Sequence, residues 1–256
     1  MREQTENRDE EVSAGRNAVH EAIKSGREIE CLLVARGERS GSAGVIIAAC
    51  RDKGIPVKEV SPMKLDMKCP GVNHQGMVAV AAAHTYAELE DVFALAESRN
   101  EKPFLIICDE IEDPHNLGAI VRTAEATGVH GIIIPKRRNV GLTYSVSKAA
   151  CGALEYMNVV RVPNLPAVIE DLKKRGVWIY GAVLDGEPWC TVDYSGGTAL
   201  VIGSEGNGIG RLVSEKCDFY VTLPMAGEIN SLNASVAASV LMYEVARQRK
   251  GIKAKG

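Results

Sequence analysis

The sequence predicts an α/β protein whose C-terminal part forms a mostly parallel β-sheet, preceded by a second, smaller α/β unit. The main observation is a long alternation of short apolar runs and helical patterns after residue 103. Such alternation implies a mostly parallel sheet covered by helices on both faces. The second observation is size, since 256 residues, 46% hydrophobic and 25% charged, suffice for one large or two modest globular domains.

The smaller unit is predicted over residues 12–83, after an acidic tail at residues 1–11. Apolar residues at helical spacing and short apolar runs define its elements. They are a helix at 16–25, a strand at 30–35, a helix at 45–53, and strands at 55–60 and 77–83. Residues 84–102 are predicted to link the two units, because a helical pattern at 86–99 ends in Asn-Glu-Lys-Pro.

The larger unit is predicted over residues 103–250, followed by a tail at 251–256. Its predicted strands are 104–109, 131–134, 157–162, 177–184, 199–203 and 219–223. Its predicted helices are 117–127, 145–153, 165–175, 209–216 and 232–248. No internal repeat or low-complexity tract is visible in the sequence.

The charge distribution leaves two interpretations open. The formal net charge of −3 equals that of residues 1–11, which hold five acidic and two basic residues. Residues 12–83 carry ten Lys and Arg against seven Asp and Glu, and residues 136–161 carry five basic residues against Glu155 alone. These positive zones are either ordinary solvated charge or a surface that contacts phosphates.

Several classes of protein are disfavoured. No apolar run approaches the roughly 18 residues of a membrane-spanning helix, and the charged start has no apolar segment of a signal peptide behind it, so we expect a cytoplasmic protein. The seven cysteines are never closer than 19 positions, so no CxxC pair offers a zinc or redox site, and we expect no metal. Most cysteines are expected to be buried thiols.

Three polar, glycine-bearing segments follow predicted strands, at the edge of the sheet where ligands bind. They are DEIEDPHNLGAIVRTAEATG at 109–128, LVIGSEGNGIG at 200–210 and VTLPMAGEINSLNASVA at 221–237. The third opens an apolar helix with Ser231 and Asn233, for which helix capping is the simplest explanation.

Common site types fit these segments poorly. None has the Gly-Lys-Ser/Thr of a phosphate-binding Walker loop, and GSEGNG lacks the GxGxxG spacing of a dinucleotide site. Hydrolase and metal sites are disfavoured because no Ser-His-Asp pattern or His/Cys cluster is present. His115 is a possible base, but a role in the turn is the better interpretation.

The three segments resemble the signature motifs of the SpoU/TrmH branch of the SPOUT methyltransferases, in their order and usual separation. VSAGRNAVHEAI and GVNHQGMVA resemble the ribosomal-protein-L30e-like RNA-binding domain that precedes the catalytic domain in bacterial 23S rRNA (guanosine-2′-O)-methyltransferases. The resemblance implies a deep trefoil knot in the C-terminal domain, a homodimer through that domain, and methyl transfer from S-adenosylmethionine to a ribose 2′-hydroxyl of RNA. A guanosine of 23S rRNA is the first candidate target. A tRNA ribose, an rRNA adenosine, or a non-catalytic RNA-binding or assembly role are the alternatives.

The resemblance also implies site residues, carried over by motif position. The cofactor contacts fall on Gly203, Ser204, Gly206, Leu223, Leu232 and Asn233. The catalytic group comprises Asn116, Arg122, Glu205, Ser231 and Asn233. Contacts to RNA are expected from Arg16, Asn17, His74, Gln75, Arg137, Arg138 and Lys148. Glycines in the second motif are expected to let the backbone approach the ligand.

Simpler explanations remain open for individual site residues. Asn116 and Ser231 would also serve as N-caps, Glu205 as a turn residue, and Arg122 as a surface ion pair with Glu125 or Asp113. In relatives the arginine of the first motif is credited with activating the hydroxyl. A guanidinium with a pKa above about 12 is a poor base, so phosphate anchoring or stabilisation of a forming alkoxide suits Arg122 equally well.

Overall fold

The computed structural model describes residues 12–24, 28–38, 41–82, 84–228 and 231–252. The predicted tail at 1–11, most of the tail at 251–256, and the predicted element ends Ser25 and Ala83 lie outside these residues. The chain divides into two compact units, one of residues up to Thr85 with Gly141–Ser147, the other of Tyr86–Val140 with the chain from Lys148 onward. None of the helices in the described ranges has the length and apolar character needed to cross a membrane.

The first unit is a four-stranded mixed sheet with helices. Its elements are β1 (Val12–Ala14), α1 (Arg16–Lys24), β2 (Ile29–Ala35), α2 (Ser42–Asp52), β3 (Val57–Val60), α3 (Pro62–Lys68) and β4 (Met77–Ala81). The strand order is β1-β4-β2-β3, in which β2 and β3 are parallel and the other pairs antiparallel. Neither β1 nor α3 was predicted, because elements of three and seven residues are too short to show a period.

The second unit contains the larger sheet. Its strands are β5 (Phe104–Cys108), β6 (Gly131–Pro135), β7 (Val159–Val162), β8 (Val177–Pro188), β9 (Gly197–Ile202) and β10 (Phe219–Thr222). Its helices are α4 (Leu89–Ser98), α5 (Pro114–Thr127), α7 (Leu165–Lys174), α8 (Arg211–Ser214) and α9 (Ala234–Arg249), with a 3₁₀ turn at Ala153–Glu155. A further helix, α6 (Tyr144–Ala150), begins in the first unit and ends in the second. Every pair of neighbouring strands is parallel, which confirms the predicted sheet type.

The strand order places the three motif segments together. The order is β10-β8-β9-β5-β6-β7, so the chain runs outward from β5 to β7 and then returns on the other side of β5. The direction in which the chain adds strands to the sheet therefore reverses between β5 and β9. Open parallel sheets bind ligands at such a point. The segments after β5, β9 and β10 leave the same edge of the sheet. The knot implied by the resemblance stays a prediction.

Helix ends differ from the predictions where capping sets the boundary. The helix predicted at 117–127 begins at Pro114, because the Asp113 side chain accepts a hydrogen bond from His115 N at 3.0 Å. The helix predicted at 232–248 begins at Ala234, since Asn233 is its N-cap. The helix predicted at 209–216 is shortened to α8.

The expectation that most cysteines are buried was wrong. Among the seven, Cys50, Cys69 and Cys108 are buried and Cys31 and Cys217 partly so, whereas Cys151 and Cys190 are exposed. Both exposed thiols lie in turns between elements, where neither side chain has a packed neighbouring layer to cover it.

Candidate active site

A cavity of about 500 Å³ opens at the carboxyl ends of β8, β9 and β10, against the start of α9. Seven predicted site residues line it: Gly203, Ser204, Glu205, Gly206, Leu223, Ser231 and Leu232. Apolar groups complete the walls, including residues 182–184 of β8, Val221, Met225 and Leu241. The contribution of β8 was not foreseen, although it follows from the rule that ligands bind beyond strand ends.

The loop after β9 is a tight, self-bonded turn. Ser204 and Gly208 exchange backbone hydrogen bonds of 3.0 and 2.9 Å, and Gly208 has a φ of +64°. A Cβ on Gly203 would overlap the backbone of Gly208, whereas a Cβ on Gly206 would meet nothing within 4 Å. Gly203 is therefore required by the turn itself, in addition to any approach of a ligand.

Asp109 connects the loop after β5 to the loop after β9. Its Oδ2 accepts a hydrogen bond from Gly210 N at 2.7 Å, and its own backbone N–H donates to Ile202 O at 2.8 Å. Burial raises the pKa of Asp109, and the hydrogen bond from Gly210 opposes that rise. The carboxyl group thus holds the second motif against the first strand of the larger sheet.

A polar network joins all three motifs at one carboxylate oxygen. Oε1 of Glu205 accepts hydrogen bonds from Nδ2 of Asn116 at 3.0 Å, from Nδ2 of Asn233, and from Ala234 N at 3.3 Å. Nδ2 of Asn233 also donates to Oδ1 of Asn116 at 2.9 Å. Asn116 is buried, so the network is anchored inside the unit and reaches the surface at Glu205.

Asn233 also caps α9. Its Oδ1 accepts from Ser235 N at 3.0 Å, from Val236 N at 3.3 Å and from the Ser235 hydroxyl at 2.6 Å. The oxygen side of the amide therefore serves the helix while the nitrogen side serves the network. Capping, the simplest explanation of this residue from the sequence, is therefore confirmed, and the same amide also joins the network.

A second cavity, of about 310 Å³, lies on the other side of the loop after β9. Residues 110–113 and Asn116 form one wall, and residues 204–207 with Ala234 form the other. Those last residues also line the first cavity. The two cavities therefore meet at the loop that carries Glu205.

Arg122 lies outside this network. It is exposed on α5, and its guanidinium NH1 donates to Sγ of Cys151 at 3.6 Å. It lines neither of the two cavities. Among the described residues, Arg122 makes its side-chain contact with Cys151 and forms no ion pair with Glu125 or Asp113. The N-caps are Asp113 for α5 and Asn233 for α9, rather than Asn116 and Ser231.

Three residues predicted to contact RNA make hydrogen bonds within their own unit. Arg16 N donates to Oε1 of Gln75 at 3.2 Å, and its guanidinium pairs with Glu38 at 3.1 Å. His74 Nε2 lies 3.1 Å from Oδ1 of Asp66. The contacts within the unit are sufficient to explain why Arg16, His74 and Gln75 stand at these positions. RNA binding by these residues stays a prediction.

The other predicted RNA contacts are on the surface. Asn17, Arg137 and Lys148 are exposed. Arg138 is also exposed, at 78% of its side chain, and its NH1 lies 3.1 Å from Oε1 of Glu110. Only Arg138 thus has a side-chain contact to a residue that lines either cavity.

Family models match both units. The model described as the SpoU rRNA methylase family matches residues 103–243, and the model described as RNA 2′-O ribose methyltransferase substrate binding matches residues 14–87. The Bacillus subtilis protein YacO, assigned to the TrmH family of tRNA/rRNA methyltransferases, is 52% identical over 239 residues, which cover 93% of this chain and 96% of that protein. A Staphylococcus aureus protein assigned to the same family is 44% identical over 242 residues, covering 94% and 97%.

A solved structure shows the same fold with cofactor. The SpoU methyltransferase AviRb from Streptomyces viridochromogenes, in complex with S-adenosylmethionine, aligns with a TM-score of 0.60 at 26% identity, covering 97% of this chain and 96% of that one. The first cavity of the present structure has the size and mainly apolar walls of a small-molecule site. Together these matches show that the chain belongs to the SpoU/TrmH family of S-adenosylmethionine-dependent RNA methyltransferases.

Proposed function

We propose that this enzyme methylates the 2′-hydroxyl of a guanosine ribose in 23S rRNA, in the cytoplasm of a bacterium. The observation that carries the proposal is the network of Asn116, Glu205 and Asn233, which stands where the two cavities meet. Preference for rRNA over tRNA rests on the N-terminal unit, whose GRNAV and HQG segments resemble the rRNA enzymes. The cytoplasm follows from the RNA substrate and from the bacterial relatives.

The first cavity is the proposed cofactor site. Its volume of about 500 Å³ falls within the range of about 300–1,000 Å³ of small-molecule sites. Gly203, Ser204 and Gly206 would hold the cofactor through one wall, and Leu223 and Leu232 through the other. When bound, S-adenosylmethionine supplies an electrophilic methyl group, so this chain has only to position a ribose oxygen and manage its proton.

The proposed work of the network is orientation of the ribose. Oε1 of Glu205 is occupied by Asn116, Asn233 and Ala234. Oε2 makes no hydrogen bond to any part of the chain that the structure describes, and a carboxylate oxygen is an acceptor only. We therefore assign Oε2 to the 2′-hydroxyl, whose hydrogen bond would turn the lone pair of its oxygen toward the first cavity. Ser231, which lines that cavity, is proposed to assist from the opposite wall.

Arg122 is proposed to stabilise negative charge on the substrate rather than to act as a base. A guanidinium stays protonated at any working pH, so it suits a phosphate beside the target or a forming alkoxide. Its exposed position on α5 is compatible with contact to a long RNA substrate.

A homodimer is proposed through an apolar face of α9. Val236, Val240 and Tyr243 are 48%, 38% and 58% exposed, and their spacing places them on one side of the helix. A groove of about 580 Å³ runs beside them and includes Val240 and Tyr243. Exposed apolar side chains that are contiguous on a helix mark an interaction surface.

Light scattering tests the dimer. The native chain should have twice the mass of one protomer, and Tyr243→Glu should shift it toward the monomer because it places a charge in an apolar interface. Tyr156→Glu is the matched control, since Tyr156 is 76% exposed and lies outside α9 and outside the groove beside it. A monomeric native chain, or an unchanged dimer in Tyr243→Glu, would contradict this interface.

The proposed activity is tested by incubating the enzyme with labelled S-adenosylmethionine and unmodified 23S rRNA or tRNA. Digestion to nucleosides should show 2′-O-methylguanosine from 23S rRNA. Label in tRNA alone would refute the rRNA assignment, and a methyl group on a base would refute ribose methylation. Cofactor binding without transfer to any RNA would favour the non-catalytic alternative.

A further inference from the structure

The second cavity adjoins the point at which a target ribose would meet the cofactor. Residues 204–207 and Ala234 form a wall common to both cavities. In a ribose that contacts the network at this wall, the base is attached to C1′, the carbon next to the C2′ that carries the reacting 2′-hydroxyl. The base must therefore enter a neighbouring space, and enzymes that modify nucleotides commonly seat an unstacked base in such a pocket.

We propose that the second cavity receives the target base and that the Glu112 carboxylate identifies it as guanine. This inference rests on the proposed function and names the group that selects its substrate. The cavity of about 310 Å³ is lined on one side by residues 110–113 and on the other by the loop that carries Glu205.

The four carboxylates of this cavity are not equivalent. Glu110 pairs with Arg138 at 3.1 Å, Asp113 accepts from His115 N at 3.0 Å, and Glu205 holds the network. Glu112 is exposed and makes no hydrogen bond or ion pair within residues that the structure describes. Glu112 is therefore the carboxylate of this cavity that leaves both of its oxygens available to a ligand among the described residues.

The wall that carries Glu112 is fixed from behind. Ile111 N donates to Oδ1 of Asn139 at 2.8 Å, and Val140 N donates to Ile111 O at 2.8 Å. Glu110 adopts a φ of +61°, a conformation that non-glycine residues seldom take. The backbone that carries Glu112 is therefore held in place, which lowers the cost of ordering this side chain against one base among four.

The charges around the second cavity suit a base inside it and a phosphate outside it. The carboxylates that line the cavity repel phosphate, whereas the exposed Arg138 guanidinium beside them attracts it. A base inside and a phosphate outside would satisfy both. Within the described ranges, no group of three or more His, Cys, Asp or Glu side chains is arranged to hold a metal ion.

The chemistry selects guanine. An ionised carboxylate only accepts hydrogen bonds. Guanine offers two adjacent donors, N1–H and the 2-amino group, which match the two oxygens of one carboxylate. Adenine and cytosine place an acceptor beside their amino donor, and uracil places acceptors on both sides of its single donor, so each leaves an oxygen facing an oxygen or a nitrogen lone pair.

The test uses full-length enzyme and an unmodified RNA fragment that spans the site methylated by the native chain. Fragments with guanosine or inosine at the target differ only in the 2-amino group. For the native chain, kcat/KM should fall by about 10-fold or more with inosine, the effect of one hydrogen bond to a charged group. Glu112→Gln should lower kcat/KM for the guanosine fragment by about 10- to 100-fold. In this variant, kcat/KM for the guanosine and inosine fragments should be nearly equal.

Two controls separate recognition from folding. Glu97→Gln, an exposed acid on α4 outside both cavities, should keep the native ratio of guanosine to inosine. S-adenosylhomocysteine affinity, measured by calorimetry, should be the same in Glu112→Gln as in the native chain. A native ratio in Glu112→Gln would overturn the base assignment while leaving the methyltransferase proposal intact, whereas no RNA methylation by the native chain would overturn the proposed function itself.

Discussion

Asp in place of Asn233 separates the two functions of this residue. In the native chain, Oδ1 caps α9 and Nδ2 donates to Asn116 and Glu205. Aspartate keeps an oxygen for the backbone N–H groups of Ser235 and Val236, because acids are as good N-caps as asparagine. It has no donor for the network, and it places a carboxylate against that of Glu205.

The expected loss follows from these contacts. The cap, about 1 kcal/mol, is retained. Asn233→Asp loses two hydrogen bonds. The neutral bond to Asn116 is worth about 1 kcal/mol, and the bond to the exposed carboxylate of Glu205 is worth about 1.5 kcal/mol. Asn233→Asp should therefore lower the free energy of unfolding by about 2–3 kcal/mol, and Asn233→Ala, which also loses the cap, by about 3–4 kcal/mol.

Turnover should fall further than stability. Displacement of Glu205 by an ångström misplaces the ribose, and such errors reduce rates by about 100-fold. The measurements are calorimetric unfolding and transfer of labelled methyl groups to RNA, both at a temperature at which the variants are folded. If Asn233→Asp methylates RNA at the native rate, the network has no part in catalysis and Asn233 serves only as a cap.

Three further changes test other parts of the structure. Gly203→Ala should destabilise the chain by about 1–3 kcal/mol and weaken cofactor binding, whereas Gly206→Ala, which has open space for a methyl group, should leave unfolding unchanged; equal effects would refute the tight turn. Burial lowers the pKa of His130, whose Nδ1 accepts a hydrogen bond from Phe104 N. The stability that this histidine contributes should therefore be complete above its unfolded pKa of about 6.5 and be lost as pH falls through the folded pKa. In urea unfolding, His130→Gln should lack this part of the dependence of unfolding free energy on pH, and an unchanged dependence would contradict the assignment. Arg122→Lys should retain part of the turnover and Arg122→Ala almost none, with cofactor affinity little changed, whereas native turnover in Arg122→Ala would refute any role in the reaction.

The alternation of strands and helices was predictable because the central strands β5, β6 and β9 are buried on both faces. All five residues of β5 are buried, so the strand appears in the sequence as a continuous apolar run. Such a run is recognisable without knowing which strands lie beside it. The order of the strands was not predictable, since it depends on contacts between residues far apart in the chain. The reversal between β5 and β9 is visible only in the structure.

The candidate site residues could be named from the sequence, but their arrangement could not. Glycines and polar residues after apolar strands pointed to the loops, and the resemblance named Glu205 and its neighbours. The hydrogen bond that joins Asn233 to Asn116 crosses 117 positions of sequence, so no local pattern indicates it. Glu112 was overlooked because an exposed acid in a loop has no distinguishing sequence signal.

The most direct test of the proposed site is a crystal structure of the chain with S-adenosylhomocysteine and the methylated RNA fragment. The cofactor product should lie in the first cavity, between Gly203 and Leu232, with the ribose 2′-oxygen beside Glu205 and the guanine in the second cavity. A cofactor product bound elsewhere on the chain, or a ribose remote from Glu205, would contradict the arrangement proposed here.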